Sequence, residues 1–376
     1  MKIGILKEPD FEQRVALLPL HIKKLLASGN ELLVEHDAGE KAFSFDKDYE
    51  DAGAQMVSRQ ELFKKAGILL GIHLPSEKEL DSLEENQILI GVVDPLASLE
   101  KVKYLKEKGV TAFSLDIIPR ISRAQDKDIL SSMATVAGYR AVLEAAMLLP
   151  RFFPMFMTAA GTIRPAKVLI LGAGVAGLQA IATARRLGAR VEAFDVRSEV
   201  KEQVESLGAK FVELEGAQED NSAGGYAVDQ SEEYKQKQRQ LVQEHAMESH
   251  VVITTAQIPG KKAPILITKE TVEKMLPGAV IIDLAASTGG NCELTKAGET
   301  YSFNHVYIVG QSAYPSSMPI DASSMYGNNL LSFLNLMIND QGELNLDFED
   351  EIIKQSCIAH QHEVYSERIK SLIENT

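Results

Sequence analysis

The stretch KVLILGAGVAGLQAIATARRLGARVEAFDVR, residues 167–197, decides the fold. It opens with the apolar run Val168-Leu169-Ile170-Leu171, passes through a glycine turn into an Ala-rich helical pattern over 178–187, and ends on a second apolar run closed by Asp195. That order is one half of a dinucleotide-binding βαβ unit. The glycines of Gly172-Ala173-Gly174-Val175-Ala176-Gly177 divide the work: Gly172 turns the chain sharply, Gly174 lets backbone approach a pyrophosphate, and Gly177 lets helix lie close on strand. A phosphate would then rest on the helix N-terminus, where unpaired N–H groups and the positive dipole end favour an anion. Asp195 follows about twenty residues after the turn, where a carboxylate accepts both adenosine ribose hydroxyls. It argues for NAD over NADP, because it would repel a 2′-phosphate. Arg197 pulls the other way, unless it turns toward the pyrophosphate instead.

Around this stretch, 376 residues give room for two domains with a substantial core each. A 45% hydrophobic fraction fits an ordered globular chain, and a net charge of −14 without any basic stripe argues against nucleic acid. The two cysteines, Cys292 and Cys357, have no paired spacing, so neither a disulfide framework nor a metal site is expected, and a reducing cytoplasm is the natural setting. No apolar signal region follows Met1-Lys2, and the longest apolar zone, 145–163, is interrupted by Pro150, Arg151 and Pro154, so no membrane span is expected.

Short β-like runs at 3–6, 31–34, 68–72, 88–93 and 111–115 alternate with helical patterns at 19–27, 59–65 and 99–108, which predicts a second α/β domain with a parallel sheet covered on both faces. The runs 251–255, 279–284 and 306–309 extend the nucleotide-binding sheet, and ligands belong beyond the carboxyl ends of such strands, near Thr255, Ala256 and Gln257. A helix over 132–149 connects the domains, and one over 324–338 returns to the first. The final stretch, 348–373, reads as one helix with His360 and His362 on its surface. The fold class expected is α/β: two Rossmann-like doubly wound parallel-sheet domains separated by a cleft and joined by long helices. Their bounds are 1–130 plus 320–376, and 131–319.

Between them runs the polar loop 119–132, PRISRAQDKDILSS, crowded with hydrogen-bonding groups. On spacing alone it reads equally well as a structural connector, with Ser131 or Ser132 an N-cap and Arg120 with Asp128 a loop ion pair. This loop, Lys7-Glu8 with Arg14-Val15-Ala16, Met157-Thr158-Ala159-Ala160-Gly161-Thr162 and the glycine turn with Asp195-Val196-Arg197 together resemble the alanine dehydrogenase and transhydrogenase superfamily. Residues 201–208, 223–226, 253–260 and 281–285 narrow the resemblance to the NAD(H)-binding domain I of proton-translocating transhydrogenases, over essentially the whole chain.

The resemblance implies that Arg120, Gln125, Asp128 and Ser131 surround the nicotinamide carboxamide and ring, with Ile121, Ser122, Leu130 and Ser132 lining the same loop. A primary amide has two donors and one acceptor, so an arginine, a carboxylate and a hydroxyl suffice to fix which ring face is presented. Gln125 suits a bridge toward a second nicotinamide. Val175, Val196, Gly225, Tyr226 and Gln238 join the cofactor set, with 213–230 as a mobile lid; composition alone reads that segment as a surface loop. The implied cofactor is NAD(H), with NADP(H) as co-substrate on a separate partner. The implied partners are NADP(H)-binding and membrane-spanning subunits that hold the chain at the inner face of a membrane, and the chain itself is implied to be a homodimer.

Two other readings remain. A free-standing alanine dehydrogenase needs a general acid/base and a cationic clamp. Arg14 matches that clamp, but Val92, Ser287 and His73 stand where the catalytic histidine, the catalytic aspartate and the substrate lysine belong. An NAD-responsive binding module without hydride chemistry is the fallback if residues 119–132 are only a connector. One local departure is the acidic Pro9-Asp10-Phe11-Glu12, where relatives carry a longer, more basic stretch.

Overall fold

The computed structural model describes residues 1–214, 232–339 and 341–374. Backbone packing divides the chain into two units, Met1–Met133 with Pro315–Thr376, and Ala134–Tyr314.

The first unit is built on a seven-stranded sheet with the spatial order Cys357–Ala359, Thr111–Ser114, Ile88–Val92, Ile68–His73, Lys2–Ile5, Glu31–Glu35, Gln55–Val57. All neighbours are parallel except the first pair. The strands read as unbroken apolar runs because both faces are covered. Ile3, Ile5, Ile68, Leu70, Ile88 and Ile90 enter one core, while Leu33, Leu69, Leu89 and Ala112 enter another on the opposite face. The winding direction reverses between Lys2–Ile5 and Ile68–His73.

The C-terminal segment corrects the expected single helix. Two short helices, Glu351–Ser356 and Glu367–Glu374, flank the strand Cys357–Ala359, which runs antiparallel to Thr111–Ser114. Cys357, Ile358 and Ala359 are each 0% exposed, so this triplet is buried on both sides as a strand and completes the sheet edge. His360 is consequently no surface helix residue. Its Nδ1 bonds Thr111 Oγ1 at 2.9 Å and its ring lies 4.9 Å from that of Phe348. His362 is exposed, in a left-handed backbone conformation.

The second unit carries another seven-stranded sheet, ordered Lys210–Phe211, Arg190–Phe194, Lys167–Leu171, Val251–Thr254, Val280–Asp283, Val306–Val309, Thr300–Phe303. Only Thr300–Phe303 is antiparallel. Val168, Ile170, Val251 and Ile253 fill the core on one face; Leu169, Leu171, Val252 and Ile281 fill that on the other. The strand order reverses between Lys167–Leu171 and Val251–Thr254, the switch point at which the carboxyl ends of an open α/β sheet form a crevice.

Two helices start earlier than their sequences suggest. The helix expected over 132–149 is Ile129–Leu148, because the Asp128 carboxylate and not a serine accepts a first-turn N–H, that of Ser131. The one expected over 324–338 is Pro319–Leu334, with proline in its first turn where no N–H is needed. A small antiparallel hairpin, Phe156–Thr158 with Gly161–Ile163, lies wholly exposed.

Candidate functional site

In the second unit the glycine turn sits at the carboxyl end of Lys167–Leu171 and leads into the helix Val175–Arg186. Gly172 has φ +102°, a left-handed conformation, and a Cβ there would come within 2.4 Å of Thr255 Oγ1. A Cβ on Gly177 would lie 1.8 Å from the Gly172 carbonyl oxygen, so helix and turn touch backbone to backbone. A Cβ on Gly174, by contrast, meets nothing within 4 Å. Gly174 stands at the N-cap of the helix with no side-chain hydrogen bond there, so no side chain caps the first-turn N–H groups. Val175 at that end is 41% exposed.

Asp195 follows the strand Arg190–Phe194 and reaches back to the turn. Its carboxylate, only 6% exposed, accepts from Ala173 N at 2.7 Å, from Arg197 N at 2.9 Å, and from Arg197 Nε and Nη2 at 3.0 Å each. Burial alone would raise its pKa, but the Arg197 guanidinium and the two backbone N–H groups outweigh it and hold the carboxyl below the usual range. Arg197 thus folds back onto the acid. Val196 between them is 61% exposed.

The neighbouring strand ends complete this edge. Thr255 donates its backbone N–H to Leu171 O at 2.9 Å, and its hydroxyl lies 3.1 Å from Gly172 O. Gln257 is exposed and donates from Nε2 to Leu284 O at 2.8 Å. Asp283, fully buried, has no cation beside it among the described residues. Its oxygens accept from Thr254 Oγ1 at 3.0 Å, Ala285 N at 3.0 Å, Asn291 N at 2.7 Å, Cys292 N at 2.9 Å and Thr295 Oγ1 at 2.5 Å. Five donors replace the water this carboxylate gave up. Gln238 is partly buried on the helix Glu232–Met247, whereas Gly225 and Tyr226, with most of the expected lid, lie outside the described residues.

In the first unit, the loop 119–132 contains a 3-10 turn, Ser122–Lys127. Arg120, Ser122 and Gln125 are exposed, Leu130 is 44% exposed, and Ile121 and Ser132 are partly buried. Asp128 and Ser131 are brought into direct contact: Ser131 N donates to Asp128 Oδ1 at 2.9 Å and its hydroxyl to Oδ2 at 2.6 Å. Arg120 forms no ion pair with Asp128 among the described residues.

Sequence reasoning missed what holds this loop. Arg123 forks onto Asp350 with bonds of 2.6 and 2.9 Å, the buried Lys127 pairs with Asp126 at 2.7 Å, and Asn329 Nδ2 donates to Asp126 O at 2.8 Å. The partners on the far side lie more than two hundred residues along the chain, beyond any local spacing signal. Also in this unit, Arg14 forks onto the buried Glu12 at 2.9 and 2.7 Å, and His73 Nδ1 lies 3.1 Å from Glu8. Val92 ends its strand half-buried.

Comparison with known proteins gives these arrangements a context. The model of the alanine dehydrogenase/PNT N-terminal domain matches residues 4–137, and that of the C-terminal domain matches 141–367. The first of the parts that make up NAD(P) transhydrogenase subunit alpha in Rhodospirillum rubrum is 44% identical over 368 residues, covering 95% of this chain and 96% of that protein. The subunit alpha of Haemophilus influenzae is 44% identical over 366 residues, 96% of this chain and 71% of its own length. The crystal structure of transhydrogenase from Sinorhizobium meliloti superposes with a TM-score of 0.89 at 42% identity, covering 97% of this chain and all of that one. Alanine dehydrogenase of Mycolicibacterium smegmatis is far more distant, at 26% identity over 98% of this chain and 96% of the enzyme.

Proposed function

The chain belongs to the alanine dehydrogenase/PNT family as an oxidoreductase of the transhydrogenase alpha type, and from that premise we propose that it binds NAD(H) and passes hydride directly to or from NADP(H) held on a partner subunit. The observation that carries the reading is the uncapped helix start beyond Gly172 and Gly174, with Asp195 fixed beside it. The residues fit the dinucleotide. First-turn N–H groups at Val175 receive the pyrophosphate, Asp195 accepts from the adenosine ribose, and Val196, Arg197, Gln238 and Gln257 complete the adenosine and linker side. NAD(H), when bound, supplies or accepts the hydride. Arg120, Asp128 and Ser131 orient the carboxamide, and Gln125, exposed on its turn, bridges to the second ring.

The position of Val92 speaks against amino-acid dehydrogenation, because an aliphatic side chain cannot take a proton. No described helix is long and apolar enough to cross a membrane. We place proton translocation in membrane-spanning partner subunits, which would hold this chain at the inner membrane face. We further propose a homodimer through the second unit. Met147, Phe152, Met155, Phe156, Met157 and Ile163 are 39–84% exposed along one short segment, more apolar surface than scattered residues would present.

The test mixes the purified chain with a separately expressed NADP(H)-binding transhydrogenase domain, NADPH and an oxidised NAD analogue, and follows analogue absorbance; alanine with NAD runs beside it. Rapid reduction only with both proteins present is expected. Turnover of alanine instead would favour the dehydrogenase, and silence in both would favour a binding module.

A further inference from the structure

We infer that Asn291 is a positioning residue for the nucleotide site, fixing the loop 256–264 at the carboxyl edge of the second unit's sheet and, through Thr255, the glycine turn. The inference rests on reading that edge as the NAD(H) site. Asn291 is 0% exposed and every hydrogen-bonding group it owns is engaged. Its Oδ1 accepts from Ala256 N at 3.0 Å, while Nδ2 donates to Ala256 O at 2.9 Å and to Pro264 O at 2.8 Å. Its backbone N–H donates to Asp283 Oδ2 at 2.7 Å, and its carbonyl accepts from Leu266 N and Ile267 N at 2.7 and 3.0 Å. A primary amide offers donor and acceptor side by side, so Asn291 meets both backbone groups of Ala256 as a neighbouring strand would.

The position of those bonds gives them a function. The strand Val251–Thr254 is already fixed by its two neighbours, so Asn291 adds nothing to its register. Beyond it, residues 257–262 are all exposed and have no buried side chain of their own until Ala263. That span is gripped at its two ends by one asparagine, at Ala256 and Pro264. One residue before Ala256, Thr255 is bonded to Leu171 O and Gly172 O. A continuous path therefore runs from the buried Asp283 through Asn291, Ala256 and Thr255 to Gly172, where the pyrophosphate belongs. An order imposed on an exposed loop before binding shows up as ligand affinity.

The experiment titrates NADH into full-length protein by fluorescence, comparing the unsubstituted chain with Asn291→Ala. We expect the dissociation constant to rise about tenfold, amide exchange at 257–262 to quicken, and hydride transfer at saturating NADH to stay within about twofold of the unsubstituted rate. A lowered melting temperature with unchanged NADH affinity would mean that Asn291 serves stability alone and would overturn the inference. Where Asn291→Ala does not fold, Thr255→Val tests the same path: weaker NADH binding, restored by Thr255→Ser, supports it, and equal affinities in all three proteins overturn it. An unsubstituted chain that binds no NADH would refute the reading of the site itself, and the role of Asn291 with it.

Discussion

Replacing Gly177 by alanine confronts two pieces of backbone, which makes its outcome calculable. The added Cβ would stand 1.8 Å from the Gly172 carbonyl oxygen, and such contacts do not occur under 3.0 Å. The helix start must therefore retreat by about 1.2 Å, since neither atom belongs to a side chain that can rotate away. Overpacking of this kind costs roughly 1–3 kcal/mol, against which alanine regains about 1 kcal/mol of helix propensity. A net loss reaching about 2 kcal/mol would lower the melting temperature of a unit this size by roughly 4–8 °C, and a smaller loss by proportionately less. The effect on ligand is larger. A displacement of about 1 Å stretches a 2.9 Å hydrogen bond past its useful range, and losing two bonds to phosphate at about 1.5 kcal/mol each weakens NADH binding by about a hundredfold. Gly174→Ala is the control: its Cβ meets nothing within 4 Å, so stability should hold while affinity falls, because the methyl occupies the pyrophosphate approach. Fluorescence titration and thermal unfolding of both variants decide the matter. Unchanged stability and affinity in Gly177→Ala would refute the contact, and a large thermal loss confined to Gly174→Ala would refute the orientation of the turn.

Three further outcomes follow from particular side chains. Gln125→Asn should slow hydride transfer strongly while leaving NADH affinity nearly unchanged, and equal losses in both would sink the bridging role. Asp195 implies a marked preference for NADH over NADPH, which comparable dissociation constants by calorimetry would contradict. His21 is fully buried, with Nδ1 accepting from Leu18 N; burial first, and then Lys24 nearby, outweigh the opposing pull of the Ser324 backbone and depress its pKa to about 4. Between pH 6.5 and 4 the unfolded chain binds a proton that the folded chain refuses. This contribution is therefore intact above pH 6.5 and falls by about 3 kcal/mol as pH drops to 4. Denaturant unfolding at pH 7 and 4.5 should show a shallower dependence in His21→Gln, and parallel curves would exclude His21 as the cause.

The two sheets were legible because parallel strands covered on both faces leave continuous apolar runs such as Val168-Leu169-Ile170-Leu171 and Ile68–His73. Antiparallel edges were not. Cys357-Ile358-Ala359 lies among residues whose apolar spacing also fits a helix, and only the open edge at Thr111–Ser114 decides between the two. Gln55–Val57 is too short to register. At the site, the glycine spacing and Asp195 were visible because their geometry is local. Asn291 and the pair Arg123 with Asp350 were not, since their meaning lies in partners 35 and 227 residues away.

The discontinuous first unit also has a consequence for synthesis on the ribosome. The strand Thr111–Ser114 gains its outer neighbour only when Cys357–Ala359 has been translated. At roughly 5–20 residues per second that delay is about 12–50 s, during which a sheet edge stands open to other chains. The contiguous Ala134–Tyr314 unit is complete well before then and is free to mature first. Stalled nascent chains released near residue 330 should therefore carry a protease-resistant later unit behind a protease-sensitive earlier one, and uniform resistance would show that the first unit closes without its final strand.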